Sequence, residues 1–161
     1  MRIDLEAAGD LGYRNPMALH LATLVELWRS PEFAAGLVDE VVEGLGATDA
    51  RVLWELGYRR ECRPGVLASV IGIGAPSISK STARLLGRGL IAAAPDPTDA
   101  RATVLRLTGE GEAVTRRLYQ VGDSFIDRLT ADWTDEDRRI ATSLLARLAR
   151  RAQDFSGVGD N

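Results

Sequence analysis

Cysteine and histidine are nearly missing from this chain. Cys62 is the one cysteine among 161 residues and His20 the one histidine. A lone cysteine excludes an internal disulfide framework and any zinc site built on several cysteines. A lone histidine argues against a Ser-His-Asp triad or a His-metal centre. No nucleophile–base pair or metal set is visible, so neither an enzyme nor a cofactor is expected. No apolar run approaches the roughly 18 residues that a membrane span needs. The opening residues, MRIDLEAAGDLGYRNP, carry acids where a signal peptide needs an apolar core. The sequence therefore predicts a cytoplasmic protein with no membrane partner.

What is present is a sharp division of charge. From Arg59 to Leu107 eight basic residues (Arg59, Arg60, Arg63, Lys80, Arg84, Arg88, Arg101 and Arg106) face three acids (Glu61, Asp96 and Asp99). That segment carries +5, while the remainder holds 12 basic and 20 acidic residues, or −8. The overall charge of −3 hides a basic module inside an acidic protein. A polyanion is drawn to the module and repelled elsewhere, which favours one docking face. The length suits a single domain.

The pattern along the chain is mainly helical. Asn15-Pro16 starts a helix, with Leu19, Thr23, Leu24, Leu27 and Trp28 at helical spacing. Ser30-Pro31-Glu32 breaks it. Helical spacing resumes through Phe33, Leu37, Val38, Val41, Val42 and Leu45, until Gly44 and Gly46 end it. Thr48-Asp49 caps a short helix with Val52, Leu53 and Leu56. Cys62-Arg63-Pro64-Gly65 reads as a turn. Val66, Leu67, Val70 and Ile71 form a short helix, and Gly72-Ile73-Gly74 turns the chain into a helix over 76–88. Two helices about a tight Gly-containing turn are a helix-turn-helix. Leu90 to Ala93 reads as a strand, Pro95 to Ala100 as a turn, and Thr103 to Leu107 as a second strand. Thr108 caps a long helix with Val114, Leu118, Val121, Phe125 and Leu129. Thr134 caps a last one with Ile140, Leu144, Leu145 and Leu148.

A helix followed at once by a hairpin is the layout of a winged helix-turn-helix, whose helix enters the major groove while the hairpin tip touches backbone or minor groove. The fold class expected is mainly α with a small β-hairpin wing. In the 76–88 helix, Ile78, Leu85 and Thr82 are assigned to the core. Ser77, Lys80, Ser81, Arg84 and Arg88 fall on the opposite face. Hydroxyls can bond phosphate or a base edge, and Arg can bond guanine bidentately. An isolated helix of this kind also reads as an ordinary solvated surface; the adjoining hairpin and the charge asymmetry turn the reading towards DNA. Arg101 ends the hairpin tip, where a narrow minor groove attracts an inserted Arg, and Asp99 is placed to hold it. An exposed ion pair of little worth is the even alternative there.

These residues resemble the MarR family of bacterial winged-helix regulators. The resemblance rests on Ile78-Ser79-Lys80, Leu85, Gly89-Leu90-Ile91, the wing Asp96-Pro97-Thr98-Asp99-Ala100-Arg101, and Leu107-Thr108-Gly109-Glu110-Gly111. It spans roughly residues 16 to 152. It implies a single domain over 1–161, with a helical dimerisation region from 16–46 and 109–153 and a DNA-binding region over 48–108. It implies a homodimer on double-stranded DNA, with Ser77, Ser79, Lys80, Ser81 and Arg84 at the major groove, Arg63 beside them and Arg101 at the minor groove. Ser81 and Thr82 replace usually apolar positions, which predicts a rotated or loosely packed helix. Ala92-Ala93-Ala94 lacks the basic residue often found there, which predicts a weaker wing contact.

The resemblance also implies a small aromatic effector, for which His20, Trp28 and Tyr58 are the candidate ligand residues beside Tyr13 and Trp54. The His20 to Trp28 stripe reads equally as dimer core. Arg60 and Arg63 could favour the Cys62 thiolate, although a plain structural thiol is the simpler reading. The function expected is a sequence-specific transcriptional regulator, of the repressor kind by the resemblance to the family. The rival is a winged helix used for protein contact, such as an antirepressor occupying a partner regulator.

Overall fold

The computed structural model describes residues 14–30, 33 and 41–157. Its elements are α1 (Pro16–Arg29), α2 (Ala47–Arg59), β1 (Glu61–Cys62), α3 (Pro64–Ile71), α4 (Ala75–Gly87), β2 (Ile91–Asp96), β3 (Asp99–Leu107), α5 (Gly109–Leu129) and α6 (Asp135–Gly157). The chain divides into two compact units, one ending at Gly122 and the other beginning at Asp123.

The first unit holds the helix-turn-helix and its wing. Asn15 caps α1, its side chain accepting a bond from the Met17 N–H at 2.9 Å, and α1 stops at Ser30. Pro31, Glu32, Leu37 and Val38 lie outside the described residues, as does Tyr13. Val41 to Leu45 are not helical, contrary to their spacing. Gly44 takes a φ of +78°, a left-handed conformation that turns the chain towards α2. The cap of α2 also differs from expectation. Gly46 occupies the cap position, and Asp49 reaches back to accept its N–H at 2.9 Å. Thr48 lies inside the helix.

The turn between α3 and α4 follows the glycine signals. Gly72 adopts a φ of +70°, and the N–H groups of Gly72 and Ile73 both return to the Ala68 carbonyl. Such a left-handed C-terminal residue satisfies carbonyls that the helix end leaves bare. The sheet is three-stranded and antiparallel in the order β1-β3-β2. Strand β1 was hidden in what reads as a turn: Glu61 pairs with Arg106 and Cys62 with Leu105. The hairpin strands are longer than their residues suggest. Asp96 pairs with Asp99, so only Pro97-Thr98 remains as the tip rather than Pro95 to Ala100. Pro95 is tolerated because β2 is an edge strand, where a missing N–H breaks no ladder.

The core lies beneath these elements, with Leu53, Leu56, Leu67, Ile78, Leu85, Leu105 and Leu118 all buried. Each such side chain contributes about 1.5–3 kcal/mol on leaving water. Thr108 stitches the wing to α5. Its hydroxyl donates to the Gly89 carbonyl at 2.6 Å and accepts the Gly111 N–H at 3.1 Å.

In the second unit Thr134 caps α6. Its hydroxyl accepts the Asp137 N–H at 3.1 Å and donates to the Asp137 carboxylate at 2.6 Å, a reciprocal box that fixes the first turn. Arg138 donates to the Thr130 carbonyl at 2.6 Å, tying the helix to the turn before it. Ile140, Leu144, Leu145 and Leu148 form an apolar stripe that this chain leaves exposed. Among the described residues no helix is long and apolar enough to cross a membrane.

Candidate nucleic-acid interface

Helix α4 presents two faces. Ile78, Ser81, Thr82 and Leu85 are buried, whereas Ser77, Ser79, Lys80, Arg84 and Arg88 are exposed. Ser81 therefore does not stand on the exposed face with Ser77, Lys80 and Arg84, where its hydroxyl suggested it would. Its Oγ donates to Asp49 Oδ1 at 2.5 Å in the interior. Thr82 is satisfied within its own helix, donating to the Ile78 carbonyl at 2.9 Å. Two hydroxyls on the core stripe thus find acceptors, and α4 packs without the rotation or looseness their polarity suggests. Among the described residues no buried side-chain polar atom lacks a partner.

The buried acid that receives Ser81 also receives Arg84. Arg84 Nε lies 2.8 Å from Asp49 Oδ2 and Nη2 lies 3.0 Å from Oδ1, a bidentate pair. The Asp49 side chain is fully buried, whereas that of Arg84 is 49% exposed. The hydrogen bonds that Arg84 donates to Asp49, and then the Asp49 charge, raise the Arg84 pKa above its ordinary value. Arg88 turns the other way, donating to the Glu43 carbonyl at 3.1 Å.

The wing is fixed from its base. Arg63, the residue before α3, donates from Nε to Asp96 Oδ2 at 2.6 Å. Asp96 Oδ1 accepts both the backbone N–H and the hydroxyl of Thr98, at 2.7 and 2.6 Å. The Arg63 bond, then the Thr98 bonds, hold the Asp96 carboxyl well below the usual carboxylate range. Asp99 supports Arg101 through the main chain, accepting the Arg101 N–H at 3.1 Å. The expected carboxylate–guanidinium contact is not the one made. Arg101 is left exposed at the wing.

An exposed cationic helix behind a tight glycine turn, beside a hairpin with a two-residue tip and an exposed Arg101 on its second strand, agrees with what sequence comparison finds. Residues 43–102 match the MarR family model. Over that segment the chain is similar to the MarR family. A curated relative is the Bacillus subtilis (strain 168) protein YdgJ, described as an uncharacterized HTH-type transcriptional regulator. It is 23% identical over 113 residues, covering 70% of this chain and 69% of YdgJ. Among solved structures, apo wild-type MarR from E. coli superposes with a TM-score of 0.66 at 20% identity, covering 85% of this chain and 98% of that one. RV1404 from Mycobacterium tuberculosis gives 0.67 at 20% identity, with coverages of 88% and 97%. At such identities the structures establish the shared winged-helix fold.

The first unit carries a second feature, a cavity of about 270 Å³. Trp28, Phe33 and Trp54 form its aromatic wall, and Arg29, Arg51 and Glu55 its charged rim. Trp28 meets Phe33 at a tilt of 44°, with ring centres 5.3 Å apart. Trp54 meets Tyr119 edge-on at 5.3 Å, and the Tyr119 hydroxyl donates to the Trp54 carbonyl. Of the candidate ligand residues, Trp28 and Trp54 line this cavity. His20 and Tyr58 are exposed and do not. Phe33, Arg29 and Arg51 escaped sequence reasoning because they come from separate segments whose convergence no local spacing reveals.

Cys62 is buried on β1. Burial pushes its thiol up, and the opposing pull of Arg59 is smaller. Its burial favours the plain structural thiol over the thiolate that Arg60 and Arg63 could have promoted. The native thiol should react with a disulfide reagent at pH 8 at least about tenfold more slowly than the urea-unfolded chain. Equal rates in a stopped-flow assay would show that the strand does not protect it.

Proposed function

We propose that this chain is a sequence-specific DNA-binding regulator, acting as a homodimer on a pseudo-palindromic operator and repressing transcription until an effector releases it. The observation that carries the reading is the exposed face of α4. Ser77, Ser79, Lys80 and Arg84 stand there together, next to a wing whose second strand exposes Arg101. Ser77 lies in the first turn of α4, where helix N–H groups favour phosphate. A two-fold dimer would place its α4 helices in successive major grooves, with half-sites about 10 bp apart. The exposed stripe of Ile140, Leu144, Leu145 and Leu148, and the exposed Leu24 and Leu27 of α1, supply apolar surface for a second copy. Residues 16–46 and 109–153 would then be the dimerisation region, and 48–108 the reading head. The cavity walled by Trp28, Phe33 and Trp54 suits a single-ring aromatic, and Arg29 with Arg51 favours one bearing an acid group.

The test is fluorescence anisotropy on duplex DNA from upstream of the chain's own gene, beside a scrambled duplex, across a salt series. Tight, salt-sensitive binding to the first alone is the expected result. Equal, weak binding to both would favour the protein-contact reading, which a pull-down would then decide. In the same assay Arg101→Ala should weaken binding to all sequences alike and lower the salt slope by about one. An unaltered slope would remove the wing from the interface.

A further inference from the structure

Asp49 and Arg84 do more than neutralise each other. A guanidinium has five N–H donors arranged as a rigid fork. Asp49 occupies one edge of the Arg84 group, taking the Nε hydrogen and one Nη2 hydrogen. The opposite edge, Nη1 with the second Nη2 hydrogen, has no partner among the described residues and lies on the half-exposed side chain. That free edge is itself a two-donor fork.

The clamp is rigid because Asp49 is. It sits in the first turn of α2 with no exposure. Its Oδ2 is held by the Gly46 N–H at 2.9 Å and its Oδ1 by the Ser81 hydroxyl at 2.5 Å. Arginine ordinarily loses much rotamer freedom on meeting a ligand, and a preset side chain avoids that loss. The orientation of the free fork is therefore set by the core of the reading head rather than by a flexible stem. A guanine offers two acceptors, O6 and N7, to such a fork in the major groove, whereas adenine opposes one of them with a donor.

We propose that Asp49 is a positioning residue for base recognition: seated on Ser81 and Gly46, it aims the free edge of Arg84 at a guanine in each half-site and keeps Arg84 from turning to phosphate. This rests on the DNA-binding function proposed above and adds to it the base read and the buried group that selects it.

The experiment begins with the wild-type chain and a pool of short duplexes randomised in sequence. If no sequence is enriched, the DNA-reading function fails, and this inference fails with it. If a motif emerges, each G·C pair in the best duplex is replaced by A·T and binding is measured by anisotropy. One G·C pair per half-site should cost the wild type about tenfold on replacement. Asp49→Asn and Arg84→Ala should erase most of that preference, and Asp49→Asn should do so without weakening binding to scrambled DNA. A merely structural role would lower the melting temperature and all binding together, with the preference kept. Ser81→Ala is the second variant, for use if Asp49→Asn does not fold. It removes one seat of the carboxylate and should lower the guanine preference about threefold. A folded Asp49→Asn with full preference would overturn the proposal, as would an undiminished preference in Ser81→Ala.

Discussion

Gly111→Ala is expected to destabilise the reading head by about 3 kcal/mol or more. A Cβ at this position would overlap the Leu90 carbonyl oxygen and lie 2.9 Å from the Leu90 carbonyl carbon. Neither atom can retreat cheaply. The Leu90 oxygen accepts the Thr108 N–H at 3.1 Å and the Thr108 hydroxyl at 3.2 Å. The Gly111 N–H is itself held by Thr108. Making room means lifting the first turn of α5 off the start of the wing, with loss of hydrogen bonds worth about 1 kcal/mol each. This is the physical content of the Leu107-Thr108-x-x-Gly111 pattern: the Thr side chain joins strand and helix, and the Gly lets the two backbones touch. A matching control exists two residues away. Nothing lies within 4 Å of a Cβ on Gly109, so Gly109→Ala should be neutral or slightly stabilising, by up to about 1 kcal/mol. Thermal melts followed by circular dichroism should place Gly111→Ala about 10 °C below the wild type. A melt within a degree or two of wild type would show that α5 does not rest on Leu90.

The recognition segment was legible because its signals are local. Gly72 and Gly89 mark left-handed turns just after α3 and just after α4, with φ of +70° and +68°. Asn15, Thr108 and Thr134 are capping residues that cap. Length and partner were harder to see. Strand β1 has two residues, too few for any alternation, and exists because β3 offers it an edge. Val41 to Leu45 keep helical spacing yet are not helical. Leu45 is nevertheless buried in the core, with Val41 and Val42 packed against it, so their apolar character reports burial and not helix.

Ser81 was misplaced for a more instructive reason. Residues 78, 81, 82 and 85 have the i, i+3, i+4, i+7 spacing of one helical stripe, and all four are buried. The spacing itself pointed inward; the hydroxyl suggested otherwise. What spacing cannot supply is the acceptor, because Asp49 lies 32 residues earlier. The same distance hid the Arg84 clamp. A buried polar group is decided by its partner, and the partner is a property of the tertiary fold.

That dependence gives the other large effect. Asp49→Ala should destabilise the reading head by about 3 kcal/mol, from losses that can be separated. The Gly46 N–H loses the acceptor that starts α2, worth about 1 kcal/mol for a helix cap. The Ser81 hydroxyl, fully buried, is left without Asp49, which costs about 1–3 kcal/mol. Arg84 loses its counter-charge, but its half-exposed guanidinium can turn to water, so this loss is discounted towards that of a surface pair, about 1 kcal/mol or less. The division predicts the double variant. Adding Ser81→Ala to Asp49→Ala removes the stranded hydroxyl and should return about 1 kcal/mol, so the pair is less destabilised than Asp49→Ala alone. Adding Arg84→Ala instead should change little, since that side chain is no longer held. Urea unfolding of the four chains measures each step. If Ser81→Ala deepens the loss in the Asp49→Ala background, the hydroxyl has found another acceptor, and Asp49 matters to stability chiefly through the cap of α2 and the charge of Arg84.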